Sequence, residues 1–379
     1  MALIVIPRSR FSDEIVKLGG TGLIKCYQCG ACTATCPMSE EYNMSFRKTI
    51  KYVQLGLQDE VLTDLTPWLC YYCGECSEAC PRQADPGEVM MAVRRYQTIY
   101  YSWNKIARFF YSKSALVFIL SIFTIFQLAM FYMFHGPMIN EYPDIYSFIS
   151  YDLIHYAGIV AGVFIVLSAI INISIMYNYV KRSGLPNNSL NIGKHAKEFV
   201  TALKEALLQQ RFNKCSNTSK LRYIAHLSLF WGFLGLFIAT SLHYIGDILS
   251  IHVDVIYPRI LGILSGVLLI YGSLYFIYKR LEKKETYAKY GHFSDWLFLI
   301  LLFMTGLTGF LIDIFLYTGM AFATYITYAI HLMFTFDLLI TAPFTKFAHA
   351  IFRPFALYLV RLKTADITMK HESVGGWKL

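Results

Sequence analysis

The sequence predicts an all-α protein: a small helical domain followed by a six-helix transmembrane bundle. Three observations predict it. Of the 379 residues, 56% are hydrophobic and only 16% charged, against roughly 45–50% and about 25% in soluble domains. The apolar excess is confined to a stretch from about Ser114 to Phe352, broken into runs near the ~20 residues that cross a bilayer. The segment before it has ordinary composition, with helical spacing of apolar residues in its middle, Ser45 to Leu62.

That first segment, residues 1–92, carries the clearest motif. Cys26-x2-Cys29-x2-Cys32-x3-Cys36-Pro37 is repeated 44 residues later as Cys70-x2-Cys73-x2-Cys76-x3-Cys80-Pro81. Three thiolates spaced by two residues on a turning backbone reach three corners of one iron–sulfur cube, and in two-cluster ferredoxins the fourth comes from the other motif. This rule gives one [4Fe–4S] cluster to Cys26, Cys29, Cys32 and Cys80, and the other to Cys70, Cys73, Cys76 and Cys36. Two four-thiolate zinc sites are the alternative, but zinc sites more often show paired CxxC units than triple runs ending in Cys-Pro. The domain is therefore read as a helical two-[4Fe–4S] ferredoxin-type module. The 33 residues between Cys36 and Cys70 carry Phe46, Ile50, Val53, Leu57 and Val61 at helical spacing, which predicts an inserted helix pair. Grouped cysteines and the lack of a cleavable signal pattern suit a reducing, cytoplasmic setting.

Residues 93–113 mix bases with aromatics and predict an interfacial linker helix. The membrane domain, 114–350, divides into spans of about 114–134, 152–177, 223–245, 256–278, 294–317 and 322–350, the last kinked at Pro343. Residues 351–379 form a tail. Segment 178–222, with a second amphipathic helix at 194–210, holds nine Lys/Arg and 279–293 holds five, whereas 135–151 and 318–321 hold none. Positive loops stay inside, so both termini are expected in the cytoplasm and the chain in the cell (inner) membrane. The net charge of +9 is thus a topology signal, and no basic stripe suggests nucleic acid.

Histidines carry the chemistry of the bundle. His226 and His243 stand at the two ends of span three, and His331 and His349 at those of span six. Their separations of 17 and 18 residues correspond to about 26 Å of helix, close to the bilayer core. Spans three and six run in opposite directions, so His226 pairs in depth with His349 and His243 with His331. Two stacked b haems with bis-histidine ligation require that pattern. His135 and His155, at the outer edge, are alternates for the outer haem or a quinone site. Asp337, six residues past His331, is a carboxylate within a span and suggests a proton relay, with Asp313 a second candidate. Glycines in spans three to five either make room for a bulky cofactor or allow close helix packing. Cys215 stands alone and receives no role.

Residues 24–95 resemble the iron–sulfur C subunits of heterodisulfide reductases, through both cysteine motifs, Pro67-Trp68-Leu69-Cys70, Asp85-Pro86 and Met90-Met91-Ala92-Val93-Arg94-Arg95. Span six, with His331, Pro343-Phe344, His349 and Arg353-Pro354, resembles the last helix of respiratory nitrate reductase gamma subunits. The fusion is similar to the C subunits of quinone-interacting membrane-bound oxidoreductase (Qmo) complexes. That resemblance implies menaquinone or menaquinol as substrate, two haem b, two [4Fe–4S] clusters, soluble flavin/iron–sulfur partner subunits and electron delivery towards adenylylsulfate reductase. The sequence suits electron flow in either direction. A rival is a haem-free iron–sulfur anchor of a heterodisulfide reductase-like complex. The sequence carries no nucleotide-binding glycine loop, activated nucleophile or flavin signature.

Overall fold

The computed structural model describes residues 10–141, 143–183, 192–214, 220–249, 254 and 256–373. All regular elements among them are helical. The first domain comprises α1 (Phe11–Lys17), α2 (Ala31–Ala34), α3 (Pro37–Tyr42), α4 (Phe46–Gln54), α5 (Gln58–Thr63), α6 (Thr66–Leu69), α7 (Glu75–Glu78) and α8 (Pro86–Tyr101). Helices α4 and α5 are the inserted pair. Ser45 caps α4, its hydroxyl accepting from the Lys48 amide at 3.2 Å. Phe46, Ile50, Val53 and Val61 all point into the core. Pro37 opens α3 rather than ending a helix, at the position where its missing N–H leaves nothing unpaired.

The segment 93–113 differs from the expected interfacial helix. Helix α8 continues through it to Tyr101, and Val93, Arg95, Tyr96, Gln97 and Ile99 are buried. It is the central helix of the first domain, because its bases find carbonyl and carboxylate partners inside instead of facing water. Only the stretch after Tyr101 has an interfacial character. There a 3-10 turn, Trp103–Lys105, and α9 (Ala107–Phe110) leave Trp103 and Phe109 exposed beside Lys105 and Arg108.

Six helical stretches are long and apolar enough to cross a membrane. They are α10 (Lys113–Phe134), α12 (Tyr151–Lys181), α14 (Lys220–Ile248), α15 (Ile256–Glu282), α17 (Phe293–Tyr317) and a broken pair, α18 (Ala321–Thr341) with α19 (Ala348–Ser373). Short helices α11 (Ile145–Phe148), α13 (Ile192–Leu208) and α16 (Thr286–Lys289) lie in the connections. Span six is thus not one kinked helix. After Thr341 a 3-10 turn carries Ala342, Pro343 and Phe344, Thr345 is extended, and α19 starts afresh. Proline cannot donate to the preceding turn, and the break is tied by other bonds: Thr345 donates to the Thr341 carbonyl through its amide at 3.1 Å and its hydroxyl at 2.9 Å, and Asn172 Nδ2 donates to the Pro343 carbonyl at 3.4 Å.

Helices α14, α15, α17 and α18 pack in series, while α10 and α12 lie against α18. Most glycines of the expected cofactor set serve the packing. A Cβ on Gly232 would stand 2.6 Å from the Leu269 amide nitrogen, and one on Gly272 2.6 Å from the Ala225 carbonyl, so α14 and α15 approach at backbone distance. Of this set, Gly309 abuts a candidate ligand, His331.

The two domains share one core. Trp68 meets Phe352 of α19 at 4.9 Å between ring centroids, and Tyr101 meets Tyr179 of α12 at 5.9 Å. A buried charge network crosses the same boundary. Arg95 bonds Glu88 at 2.8 Å and Asp295 of α17 at 2.9 Å, and Asp295 also receives Lys346 at 3.2 Å. Burial works against the Arg95 charge, but the Asp295 and Glu88 carboxylates outweigh it and hold the guanidinium protonated.

Candidate electron-transfer centres

The eight cysteines line two small cavities. Cys26, Cys29, Cys32 and Cys80 surround one, and Cys36, Cys70, Cys73 and Cys76 the other. The same backbone builds both. In each motif the residue before the second cysteine, Gln28 or Tyr72, and the glycine after it, Gly30 or Gly74, have positive φ. Gly30 and Gly74 then cap the short helices α2 and α7. This turn curls three thiols around a common centre. Amide donors also reach the sulfurs: Tyr72 N to Cys70 Sγ at 3.3 Å and Ala84 N to Cys80 Sγ at 3.4 Å. Such donors stabilise thiolate charge. As free thiols, Cys32 and Cys70 are pushed up to about 11, burial being the main cause, so binding iron as thiolates would release protons.

The two cavities differ in exposure. Cys29 lies on the surface, flanked by Ile24 and Tyr27, 79% and 70% exposed. The second cavity is set against the membrane domain. The Cys70 carbonyl accepts from Arg94 Nη2 at 2.7 Å and Arg353 Nη1 at 3.4 Å. The Tyr72 carbonyl accepts from Arg222 Nη2 at 2.8 Å. The guanidinium of Arg353 stacks on Tyr71 at 3.7 Å, and that of Arg222 on Tyr287 at 3.6 Å. From the start of α16, Thr286 packs against Gly74, where a Cβ would come within 2.7 Å of it.

Arg222 and Arg353 each lie four residues, one helical turn, from a predicted histidine. Those histidines, His226 on α14 and His349 on α19, meet with ring centroids 6.2 Å apart. Two imidazoles binding one iron from opposite sides at ~2.0 Å each would place their centroids roughly 6 Å apart. Both rings are oriented through Nδ1, which contacts Gln209 Oε1 at 2.7 Å in His226 and the Lys346 carbonyl at 2.5 Å in His349. An acceptor on Nδ1 leaves Nε2 as the metal-facing atom, so these residues fit a haem. His349 arrives there on a new helix after the break, not by the 18-residue phase of a continuous one. Rings also connect this pair to the cysteine loop: Tyr71 lies 5.7 Å from Phe212, and Phe212 5.5 Å from His226.

The second predicted histidine pair is less complete. His331 stands eleventh in α18 rather than at a helix end, and its Nδ1 meets Thr308 Oγ1 of α17 at 2.9 Å. The His243 side chain lies outside the described residues, as do His252 and Cys215. His155 stacks on Tyr244 at 4.5 Å, and its Nδ1 faces the Tyr151 carbonyl. His135 is exposed. Asp337 accepts from Gln127 Nε2 of α10 at 3.0 Å. Asp313 is paired with Arg259 at 3.6 Å. Sequence reasoning missed Gln127, Gln209 and Asn172, and read Arg222 and Arg353 only as topology charges. Their position one turn from the histidines was the available signal.

Residues 22–84 match the family model for a 4Fe-4S dicluster domain. The chain is 44% identical over 102 residues to a protein of Archaeoglobus profundus described as like the C subunit of heterodisulfide reductase, covering 26% of this chain and 53% of that protein. It is 39% identical over 59 residues to the C subunit of the H(2):CoB-CoM heterodisulfide,ferredoxin reductase of Methanothermobacter marburgensis, covering 16% of this chain and 32% of that protein. The chain thus spans about half or less of the curated relatives it matches. Its N-terminal part is an iron–sulfur domain like that of heterodisulfide reductase C subunits, joined to helices long and apolar enough to span a membrane.

Proposed function

We propose that this chain is the membrane subunit of a respiratory oxidoreductase and carries electrons between a membrane (mena)quinol and a soluble flavin/iron–sulfur partner. The clusters and b haems, when bound, supply the one-electron carriers. Cys26, Cys29, Cys32 and Cys80 hold the outer cluster, and Cys36, Cys70, Cys73 and Cys76 the inner one. His226 and His349 hold the inner haem; His331, with His243, holds the outer. One observation carries the reading: arginines one turn from each inner histidine grip the carbonyls of the Cys70–Cys73 loop. On this reading the cofactor-binding groups of the two domains would lie side by side, with the buried rings of Tyr71 and Phe212 between them. The exposed Cys29 face, with Ile24 and Tyr27, suits a soluble partner. The similarity to Qmo C subunits favours adenylylsulfate reductase as the eventual destination, with both termini in the cytoplasm.

The test is reduction of the purified, cofactor-loaded chain by a menaquinol analogue under anaerobic conditions. Haem absorbance and cluster EPR signals should both report reduction, and His349→Ala should slow cluster reduction at least tenfold. Cluster reduction at an unchanged rate in that variant would remove the inner haem from the path.

A further inference from the structure

The two cysteine motifs are built alike but covered differently. Positions 44 residues apart correspond: Ile24 to Trp68, Tyr27 to Tyr71 and Gly30 to Gly74. At the second motif all three are covered by the membrane domain. Trp68 is buried against Phe352, Tyr71 lies under the Arg353 guanidinium at 3.7 Å, and Gly74 meets Thr286. At the first motif the same face is open. Ile24, Tyr27 and Cys29 are exposed, and the nearest group to a Cβ on Gly30 is Arg47 of the same domain. One copy of the repeat thus carries a protein cap, and the other presents the equivalent face without one. Large apolar side chains left together in water mark such a face as an interaction site.

The charges say what kind of partner fits. At the second motif the cap supplies the cations, since Arg222 and Arg353 donate to the Tyr72 and Cys70 carbonyls. At the first motif the face carries its own. Arg47 and Arg82 line the cavity with the cysteines, Arg82 lies 4.1 Å over the Tyr27 ring, and Lys25 is exposed between Ile24 and Cys26. None of the ion pairs among the described residues involves these three bases. Shielding of thiolate charge would account for Arg47 and Arg82, but not for Ile24 and Tyr27 beside them. A second copy of this chain would set bases against bases, whereas a partner bringing carboxylates is complementary.

We propose that Ile24, Tyr27 and Cys29, ringed by Lys25, Arg47 and Arg82, form the docking face for a soluble redox protein with an acidic contact surface. The partner's redox centre comes over Cys29, and one electron crosses per encounter with no bond made or broken. This face rests on the electron-transfer reading above and gives its soluble exit a place and a charge.

The test uses acidic plastocyanin and basic cytochrome c as one-electron protein oxidants. Both take an electron from a reduced cluster with a large driving force, so the rates report encounter rather than small changes in cluster potential. The full chain with its cofactors, reduced by dithionite in nanodiscs of neutral lipid, is mixed with each by stopped flow. At low salt the wild type should react at least tenfold faster with plastocyanin than with cytochrome c, and the difference should collapse at ~0.5 M salt. Lys25→Glu/Arg82→Glu should slow the plastocyanin reaction about tenfold or more and speed that of cytochrome c. Ile24→Glu, outside the cavity lining, should change both rates in the same directions. Lys283→Glu/Lys284→Glu, the same change of charge at exposed positions of the membrane domain, should leave both within about twofold. Cluster iron and haem should be unchanged in every variant; if Lys25→Glu/Arg82→Glu loses cluster iron, Ile24→Glu and the salt dependence of the wild type decide. Equal slowing in the two double variants, or unaltered rates in Lys25→Glu/Arg82→Glu and Ile24→Glu, would overturn this docking face and leave the electron-transfer reading intact. A wild type that reacts in detergent but not in nanodiscs would assign the face to the bilayer and also overturn the proposal. A reduced wild type that passes electrons to neither protein in either medium would overturn the soluble exit itself.

Discussion

Replacing Arg353 with methionine should lower the reduction potential of the cluster proposed at Cys36, Cys70, Cys73 and Cys76. Arg353 Nη1 lies 3.4 Å from the carbonyl of Cys70, so its charge would act on a cluster bound there across about 8–9 Å, taken as an order of magnitude for a contact through one residue. At an effective dielectric of ~20, a unit charge at that distance is worth about 2 kcal/mol. For a one-electron couple, 59 mV corresponds to about 1.4 kcal/mol, so the shift is on the order of 80 mV downward. The sign follows because removing a cation makes the added electron less welcome. The loop itself should hold its shape, since Arg94 still donates to the same carbonyl at 2.7 Å. The assay is an EPR-monitored redox titration of wild type, Arg353→Met and Arg353→Lys. The lysine variant keeps the charge and should retain most of the potential, and the cluster of Cys26, Cys29, Cys32 and Cys80 should move little. A potential unchanged within ~20 mV in Arg353→Met, or an equal shift in Arg353→Lys, would refute the electrostatic reasoning.

Four further outcomes are expected. Arg95→Met should destabilise the chain by about 3 kcal/mol, measured by denaturant titration in detergent, because it removes the guanidinium that bonds both buried carboxylates and leaves Glu88 to Tyr72 and Asp295 to Lys346; a loss under 1 kcal/mol would contradict this. Gly74→Ala should cost more stability than Gly30→Ala, since both share the φ > 0 strain of ~1–2 kcal/mol but only the first meets a side chain within 3 Å; equal losses would argue against the Thr286 contact. Burial raises Glu205, hydrogen-bonded to Tyr42 and Tyr71, to about 7 against an ordinary 4.5, more than Arg353 and Arg361 lower it. The folded state therefore binds the extra proton between these values, and stability should fall as pH rises from about 4.5 to about 7; Glu205→Gln should flatten that slope, and an identical slope would exclude Glu205 as its source. Cys36→Ser should perturb the EPR signal of the Cys70-motif cluster and Cys80→Ser that of the Cys26-motif cluster; the reverse pattern would overturn the crossed assignment.

Much of the architecture was legible because it depends on local pattern. Eight thiols at fixed spacing report their chemistry through a short turn, which Gln28-Cys29-Gly30 and Tyr72-Cys73-Gly74 form without help from distant residues. Hydrophobic length alone marks the six spans, and the depth of His226 and His349 follows from counting residues. What was hidden depends on tertiary partners. Helix α8 has the composition of an interfacial helix, but Arg94 and Arg95 find buried partners in Pro67, Glu88 and Asp295, between 7 and 200 positions away. Pro343 signals a kink, but the break into two helices also brings the Pro343 carbonyl to Asn172 of another helix. The phase that counts for His349 is set by that rupture, so no periodicity within 322–350 could supply it. Gln127 looks like a stray polar residue in an apolar run until the fold sets Asp337 beside it.

The central claim is that this chain brings haem-ligating histidines of the membrane bundle against a cysteine-built cluster. It is tested most directly by haem content per chain, from a pyridine haemochrome assay on the purified wild type and on His226→Ala, His349→Ala and His331→Ala, with cluster iron counted in parallel. The expected result is two b haems in the wild type and one in each variant, with cluster iron unchanged throughout. A folded wild type that carries its full cluster iron but no haem would contradict the account and leave an iron–sulfur anchor in its place.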